Sequence, residues 1–335
     1  VLRYTVRRLL QMVVVLLVLS LLVFAWLRAL PGGPVSALLG ERATPESRHD
    51  LIVQLGLDQP IFVQYLKFLG RALTGNFGTS NGVQPGTTAM DLFLTRFPAT
   101  IELSVFAIII AVVFGIPLGY MAAKRRGGWF DNATVIGSLV GIAVPVFFLA
   151  FLLKYIFAVK LGVLPSDSRQ SVTDATRVTG FFVLDGIITQ EWDAAWDAFR
   201  HLILPAIALG TIPFAVVFRI TRAAVLDVLD EDYVRTAESK GLTAQLIRRR
   251  HVLRNAMLPV VTTIGLQTGA LLAGAVLTEN VFAFPGVGQA LALGFERRDY
   301  PVLQLLIMMA AMVYVVVNLL VDLSYALIDP RIRTR

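Results

Sequence analysis

The densest group of chemistry-bearing side chains lies between Asp227 and Asn255. Arg235, Thr236, Ala237, Glu238, Lys240 and Gly241 stand close together, and Arg248, Arg249 and Arg250 follow as a triplet. Residues of these types make ion pairs and charge-assisted hydrogen bonds; none is a nucleophile set beside a base. The chain contains no cysteine, which excludes disulfides, zinc–thiolate sites and thiol catalysis. No Gly-x-x-x-x-Gly-Lys-Ser/Thr or His-Glu-x-x-His run occurs either. Nucleotide binding on a phosphate loop and zinc hydrolysis therefore lack their usual equipment. The segment has strong helix formers and mixed charge around a central Gly241, which predicts a helix–Gly–helix shape. On charge alone it reads as a solvated hairpin whose basic residues fix topology and touch anionic lipid.

The elements that must carry this segment are apolar. Hydrophobic residues make up 56% of the 335 positions and charged residues 16%, with mean hydropathy +0.71. A soluble domain sits nearer 45–50% apolar and about 25% charged. A disordered chain and an ordinary soluble enzyme are excluded. Six stretches approach the roughly 20 residues needed to cross a bilayer: Leu9–Leu30, Leu103–Ala123, Ala133–Leu153, Leu202–Phe218 extended toward Ala224, Ala256–Thr278 and Val302–Val321. Arg219 and Arg222 interrupt the end of the fourth, where either side chain can snorkel. The first is too long for a secretory signal and reads as a retained helix.

Arg3, Arg7 and Arg8 place the N-terminus in the cytoplasm, and the other loops then alternate. Lys124–Arg126, the run from Arg219 to Arg254, and Arg331, Arg333 and Arg335 fall on the same side, so both termini are expected inside. The formal net charge of +7 is accordingly a topology signal, not a nucleic-acid signal. Residues 1–30 form the first helix with its leading end, 31–98 a large external loop, and 99–335 a core of five spans. That core includes an external loop over 159–200 and a cytoplasmic loop over 226–258.

In the large loop, Thr44 and Pro45 predict a helix start and Gly56 its end; Pro60 starts a second helix with Ile61, Tyr65, Phe68 and Leu69 on one face. Trp192, Trp196 and Phe199 share another face, read as a helix on the membrane surface or as a dock for an external partner. Within the spans, Pro117, Pro145, Pro205 and Pro213 can kink helices. Ser138, Gln267, Thr268 and Asn318, with Pro145, are candidates for lining a path through the membrane. Ser and Thr also bond their own backbone, so Gln267 and Thr268 read equally either way. Asp322 is expected to pair with Arg331 or Arg333, Gly137 and Gly141 to pack helices, and Arg28, Glu102 and Lys154 to snorkel at span ends. With His49, His201 and His251 all in loops, no intramembrane metal site is expected.

Arg235-Thr236-Ala237, with Gly241 at the matching distance, resembles the EAA loop of ABC-importer permeases. Arg235 and Thr236 replace the first two triplet residues, and Arg254 stands where a proline usually follows; Leu258-Pro259 comes later. Arg254-Asn255-Ala256-Met257-Leu258-Pro259 is similar to a signature of the peptide-importer branch. So, in order along the chain, are Pro31-Gly32-Gly33-Pro34, Leu55-Gly56-Leu57-Asp58, Gln64-Tyr65, and Gly75-Asn76-Phe77-Gly78-Thr79-Ser80. Arg96-Phe97-Pro98-Ala99-Thr100-Ile101-Glu102-Leu103, Phe284-Pro285-Gly286-Val287-Gly288 and Asp329-Pro330-Arg331 complete the set. The chain is identified as resembling the dipeptide/oligopeptide/nickel importer permeases of the first, B-type subclass.

That resemblance implies an all-α membrane protein with six transmembrane helices in the type I ABC importer permease fold (MetI-like), in the inner membrane. It implies a second homologous permease, two ABC ATPases that bind ATP and Mg, and an external solute-binding protein, with no cofactor or metal in this chain. Arg235, Thr236, Ala237, Glu238, Lys240, Gly241 and Arg248–Arg250 would form the coupling element seated on an ATPase. The expected cargo is peptide; nickel, glutathione and oligosaccharide are the alternatives within the family. An ion-driven secondary transporter is the rival outside it, and would want buried carboxylates at mid-membrane.

Overall fold

The computed structural model describes residues 2–29, 35, 44–54 and 56–328. Among them no strand occurs, only an isolated antiparallel bridge between Thr79 and Thr88. Five helices are long and apolar enough to cross a membrane, or six when one bent pair counts as a single span.

Two units are distinguished by their internal contacts: 1–98 with 285–315, and 99–284 with 316–335. The first contains α1 (Leu2–Ala29), α2 (Pro45–Gln54), α3 (Ile61–Leu73), the first turns of α4 (Ala89–Lys124), α13 (Val287–Glu296), and α14 (Tyr300–Ile328) up to Val315. Thr44 Oγ1 accepts the Ser47 N–H and caps α2 as expected, and Gly56 at φ +64° follows its end. On α1, Phe24 meets the edge of Tyr65, and Ser20 shares a 2.9 Å hydrogen bond with the Tyr65 hydroxyl. Val23 and Leu27 pack with Tyr300 and Leu303. Asp299, 1% exposed, accepts the Ser80 hydroxyl and the N–H groups of Asn81, Gly82 and Val83 on one oxygen.

The second unit takes the rest of α4, then α5 (Trp129–Ala143), α6 (Val146–Leu153) running into a π-helical turn over Lys154–Lys160, and α7 (Phe182–Ile188). Next come α8 (Trp192–Leu229), α9 (Asp232–Ser239), α10 (Ala244–Leu246), a π-helical stretch over Ile247–Leu253, α11 (Arg254–Gly274) and α12 (Val276–Val281). With 38 residues α8 extends about 57 Å, well past ~30 Å of hydrocarbon. It is the unit's central post, packed by α5, α6, α7 and α11. Small residues make that possible: a Cβ at Gly119 would lie 2.7 Å from the Phe218 carbonyl oxygen, so α4 touches α8 backbone to backbone.

Two elements differ from expectation. The third span is not one helix: α5 and α6 meet at a 101° bend. Pro145 has no N–H to donate and keeps Val144 out of the helical region, at φ −78° and ψ 123°. The face bearing Trp192, Trp196 and Phe199 is also no separate surface helix. It forms the first turns of α8, because no residue between Glu191 and Leu229 ends the helix; Pro205 and Pro213, which each omit one backbone hydrogen bond, are both accommodated inside it.

Candidate functional site

The connector between α8 and α11 is positioned by a small apolar hold. Val234 and Ala237 are the buried residues of α9. They pack with Ala123 of α4, Ala224 and Val225 of α8, Ile247 and Val252 of the π-helical stretch, and Ala256 of α11. Their spacing of three puts them on one face, which leaves Arg235, Thr236, Glu238 and Lys240 on the exposed side. Ala237 suits that close packing because it carries only a methyl group. Gly241 follows at φ +72°, where its N–H and that of Leu242 bond back to Glu238 and Ala237. A side chain there would be strained, although nothing lies within 4 Å of the position its Cβ would take.

Arg248, Arg249 and Arg250 all lie exposed on the π-helical stretch. Ion pairing within the connector is sparse: Arg235 reaches Asp232, one turn back on α9, at 3.8 Å, with the two side chains 68% and 99% exposed. Tyr233, 40% exposed, is steadied by the Asn255 amide, which donates to its hydroxyl at 2.8 Å. Sequence reasoning did not single out that pair. Only the Asn255-containing signature hinted at it.

The intramembrane candidates are scattered. The Ser138 side chain is buried and donates to the Val135 carbonyl oxygen, and Thr268 donates to Ile264 on its own helix. Pro145 marks the α5–α6 bend. Gln267 is half-buried on α11, and the Asn318 carbonyl oxygen is buried without a hydrogen-bond partner. The Asp322 side chain, Arg331 and Arg333 lie outside the described residues, as do the Pro31–Pro34 and Asp329–Arg331 motifs. Among the described residues no three His, Asp or Glu gather as a metal site.

The best-built polar site involves Glu102, expected only to snorkel. Glu102 and Arg169 form a buried pair at 2.6 Å, each side chain 4% exposed. Arg169 also donates to the Gly180 carbonyl oxygen and sits 3.7 Å from the Phe182 ring centre; Glu102 accepts the Val183 N–H. Burial pushes the Arg169 guanidinium below its ordinary value, while Glu102 pulls the other way. Asp185 accepts Thr179 N–H and hydroxyl and the Gly180 N–H. Burial opposes its charge, yet these donors prevail and hold the carboxyl below the usual range. Lys154 does not snorkel either: its ammonium donates to the Val281 carbonyl oxygen. Arg222 pairs through two hydrogen bonds with Asp131, 2% exposed, instead of reaching an interface. Glu102 lies 67 positions before Arg169 and Asp131 lies 91 before Arg222, separations that carry no local signal.

Such a chain, with tall apolar helices, a broken span and an exposed polar connector, is a multi-pass membrane protein. Residues 115–334 match the family described as binding-protein-dependent transport system inner membrane component, and residues 1–104 match its N-terminal companion. The chain belongs to that family and is a permease subunit of an ABC importer in the inner membrane. It is 42% identical to the dipeptide transport system permease protein DppB of Alkalihalophilus pseudofirmus, covering 99% of each chain. Identity is 46% to the di/tripeptide permease DppB of Pseudomonas aeruginosa over 94% of each, and 44% to DppB of Escherichia coli K12 over 99% of each. Among solved structures, the MetNI methionine ABC transporter in inward-facing conformations matches with a TM-score of 0.53 at 16% identity, covering 72% of this chain and 97% of that one. That likeness carries the MetI-like fold.

Proposed function

We propose that this subunit forms, with a second homologous permease, the membrane path for short peptides delivered by an external solute-binding protein. The observation that carries the cargo class is the near full-length similarity to permeases named for dipeptide transport. Two ABC ATPases, not this chain, bind and hydrolyse ATP with Mg. Both termini and the loop over 226–258 face the cytoplasm, in keeping with the distribution of basic residues; the segments over 31–98 and 159–200 face outward.

In this reading α9, with Arg235, Thr236, Glu238 and Lys240 exposed, seats on an ATPase, Gly241 sets the turn beneath it, and Arg248–Arg250 meet acidic residues at the rim. ATP-driven closure of the ATPases moves α9, and α4, α8 and α11 follow through the Val234 and Ala237 hold. Gln267, half-buried on α11, and Asn318, whose amide oxygen is buried without a partner, are the side chains assigned to the path, with Ser138, Thr268 and Pro145 shaping its wall.

The test is uptake of a labelled dipeptide by proteoliposomes holding the whole complex, with binding protein and ATP. We expect ATP-dependent uptake, and Gly241→Val to keep assembly and ATP hydrolysis while uptake falls by about an order of magnitude. Strain of roughly 1–3 kcal/mol at a left-handed position displaces α9 without unfolding the chain. Wild-type coupling in the variant would remove the connector's role; absence of dipeptide uptake by the intact complex would remove the cargo.

A further inference from the structure

Transport as described leaves one polar cavity unused. It measures about 430 Å³, lies where the end of α1 meets α3, and is lined by Arg28, Lys67 and Arg71. No acidic side chain among the described residues lines it. Arg28 occupies the last turn of the apolar span Val6–Ala29, so the cavity opens at the level where hydrocarbon gives way to headgroups. Lys67 and Arg71 are one helical turn apart on the same face of α3.

Arg28 is held in place from two directions. Its Nε donates to Gln64 Oε1 at 3.0 Å, and its guanidinium carbon lies 3.6 Å from the Phe24 ring centre. Gln64 is itself fixed, donating to the carbonyl oxygens of Leu57 and Gln59. Beside it the Gln59 Oε1 atom is buried with no hydrogen-bond partner. Three cations around one polar cavity repel each other unless an anion joins them, and a buried acceptor without a donor costs free energy. An occupant that satisfies both carries a negative phosphate-like group and a nearby O–H or N–H donor.

We propose that this cavity binds the headgroup of an anionic glycerophospholipid, its phosphodiester among Arg28, Lys67 and Arg71 and a headgroup hydroxyl donating to Gln59 Oε1. Basic pockets at membrane boundaries suit such ligands. Phosphatidylglycerol has the matching chemistry, one negative charge beside glycerol hydroxyls. Free phosphate shares the charge but has no acyl chains to lie along apolar helix surface. Val18, Leu21 and Leu22 of α1 offer such surface, exposed in the turns before Arg28.

Native mass spectrometry of the detergent-purified complex, titrated with phosphatidylglycerol or phosphatidylcholine, tests this. Wild type should retain phosphatidylglycerol at about tenfold lower concentration than phosphatidylcholine, and the double charge reversal Lys67→Glu/Arg71→Glu should remove that preference. Both residues are exposed, so the fold should tolerate the change. Gly70→Leu gives a second, charge-neutral arm. A Cβ at Gly70 meets nothing within 4 Å, the position lines the cavity, and leucine favours the helix. It should block the headgroup while leaving the thermal unfolding midpoint unchanged or raised. Equal retention of the two lipids by wild type, or undiminished preference in both variants, overturns the proposal. So does displacement by millimolar inorganic phosphate or by a dipeptide, since the site would then belong to a soluble anion or to the cargo.

Discussion

The two polar regions of the second unit are built on opposite plans. Around Glu102, Arg169 and Asp185 the charges are buried and nearly every polar atom has a partner. Around α9 the charges are exposed and almost unpaired, while a thin apolar face supplies the hold. A buried ion pair stabilises little on balance because desolvation offsets attraction, but it tolerates only one geometry. The first region is therefore a fixed cap on α4, α7 and the loop between α6 and α7. The second leaves its charges exposed and held by little within the chain. Charged residues alone do not tell such regions apart; the partner of each does.

Breaking the cap should have the largest effect. Glu102→Gln leaves Arg169 buried without its counter-charge, and Arg169→Met leaves Glu102 so. Each should cost about 3–5 kcal/mol, seen as a large drop in the thermal unfolding midpoint of the purified chain. The double variant should recover much of that loss, because neither member of the pair is then left charged without the other. Single variants costing no more than the ~0.5 kcal/mol typical of a surface pair would mean that the cap resembles the connector.

How far each region was legible follows from the same contrast. Five of the six spans, the Thr44 cap on α2, the turn at Gly56, the helix after Pro60 and the Gly241 turn are local features, written within a few residues, and the structure has them where they were expected. The break at Pro145 was legible as a kink, but the 101° bend depends on what surrounds it. Glu102, Lys154 and Arg222 were read as snorkelling because each stands near a span end. Their partners lie 67, 127 and 91 positions away, across loops whose course no periodicity encodes. The amphipathic Trp192 face was correctly apolar, yet its continuity with the fourth span depended on proline positions that a helix can absorb.

Within the cap, Asp185 offers a smaller and pH-dependent test. Its carboxyl is held below the ordinary range in the folded chain, so it contributes stability above that range and loses it as pH falls through the depressed value. Asp185→Asn should cost about 1–3 kcal/mol near neutral pH, the scale of hydrogen bonds to a charged group. The gap between wild-type and variant unfolding midpoints should then narrow as the solution is acidified. A gap that stays constant into acid would mean that the amide replaces the carboxylate without loss, and that the cap's charge is incidental.

The connector should give the smallest effect on the fold, and that is what separates it from the cap. Arg248, Arg249 and Arg250 are all exposed, so replacing all three by Gln should move stability by no more than about 0.5 kcal/mol per site. The same variant should release the ATPases at lower salt than wild type does, because the pairs lost are intermolecular and screened by ions. The two measurements are read together, as unfolding midpoint of the chain alone and ATPase retained on it across a salt series. A fallen midpoint with unchanged retention would reverse the assignment: the triplet would then be bonded within its own chain, as Arg169 is. A steady midpoint with early release would show charge left exposed for a partner, the opposite of the cap's design on the same bundle.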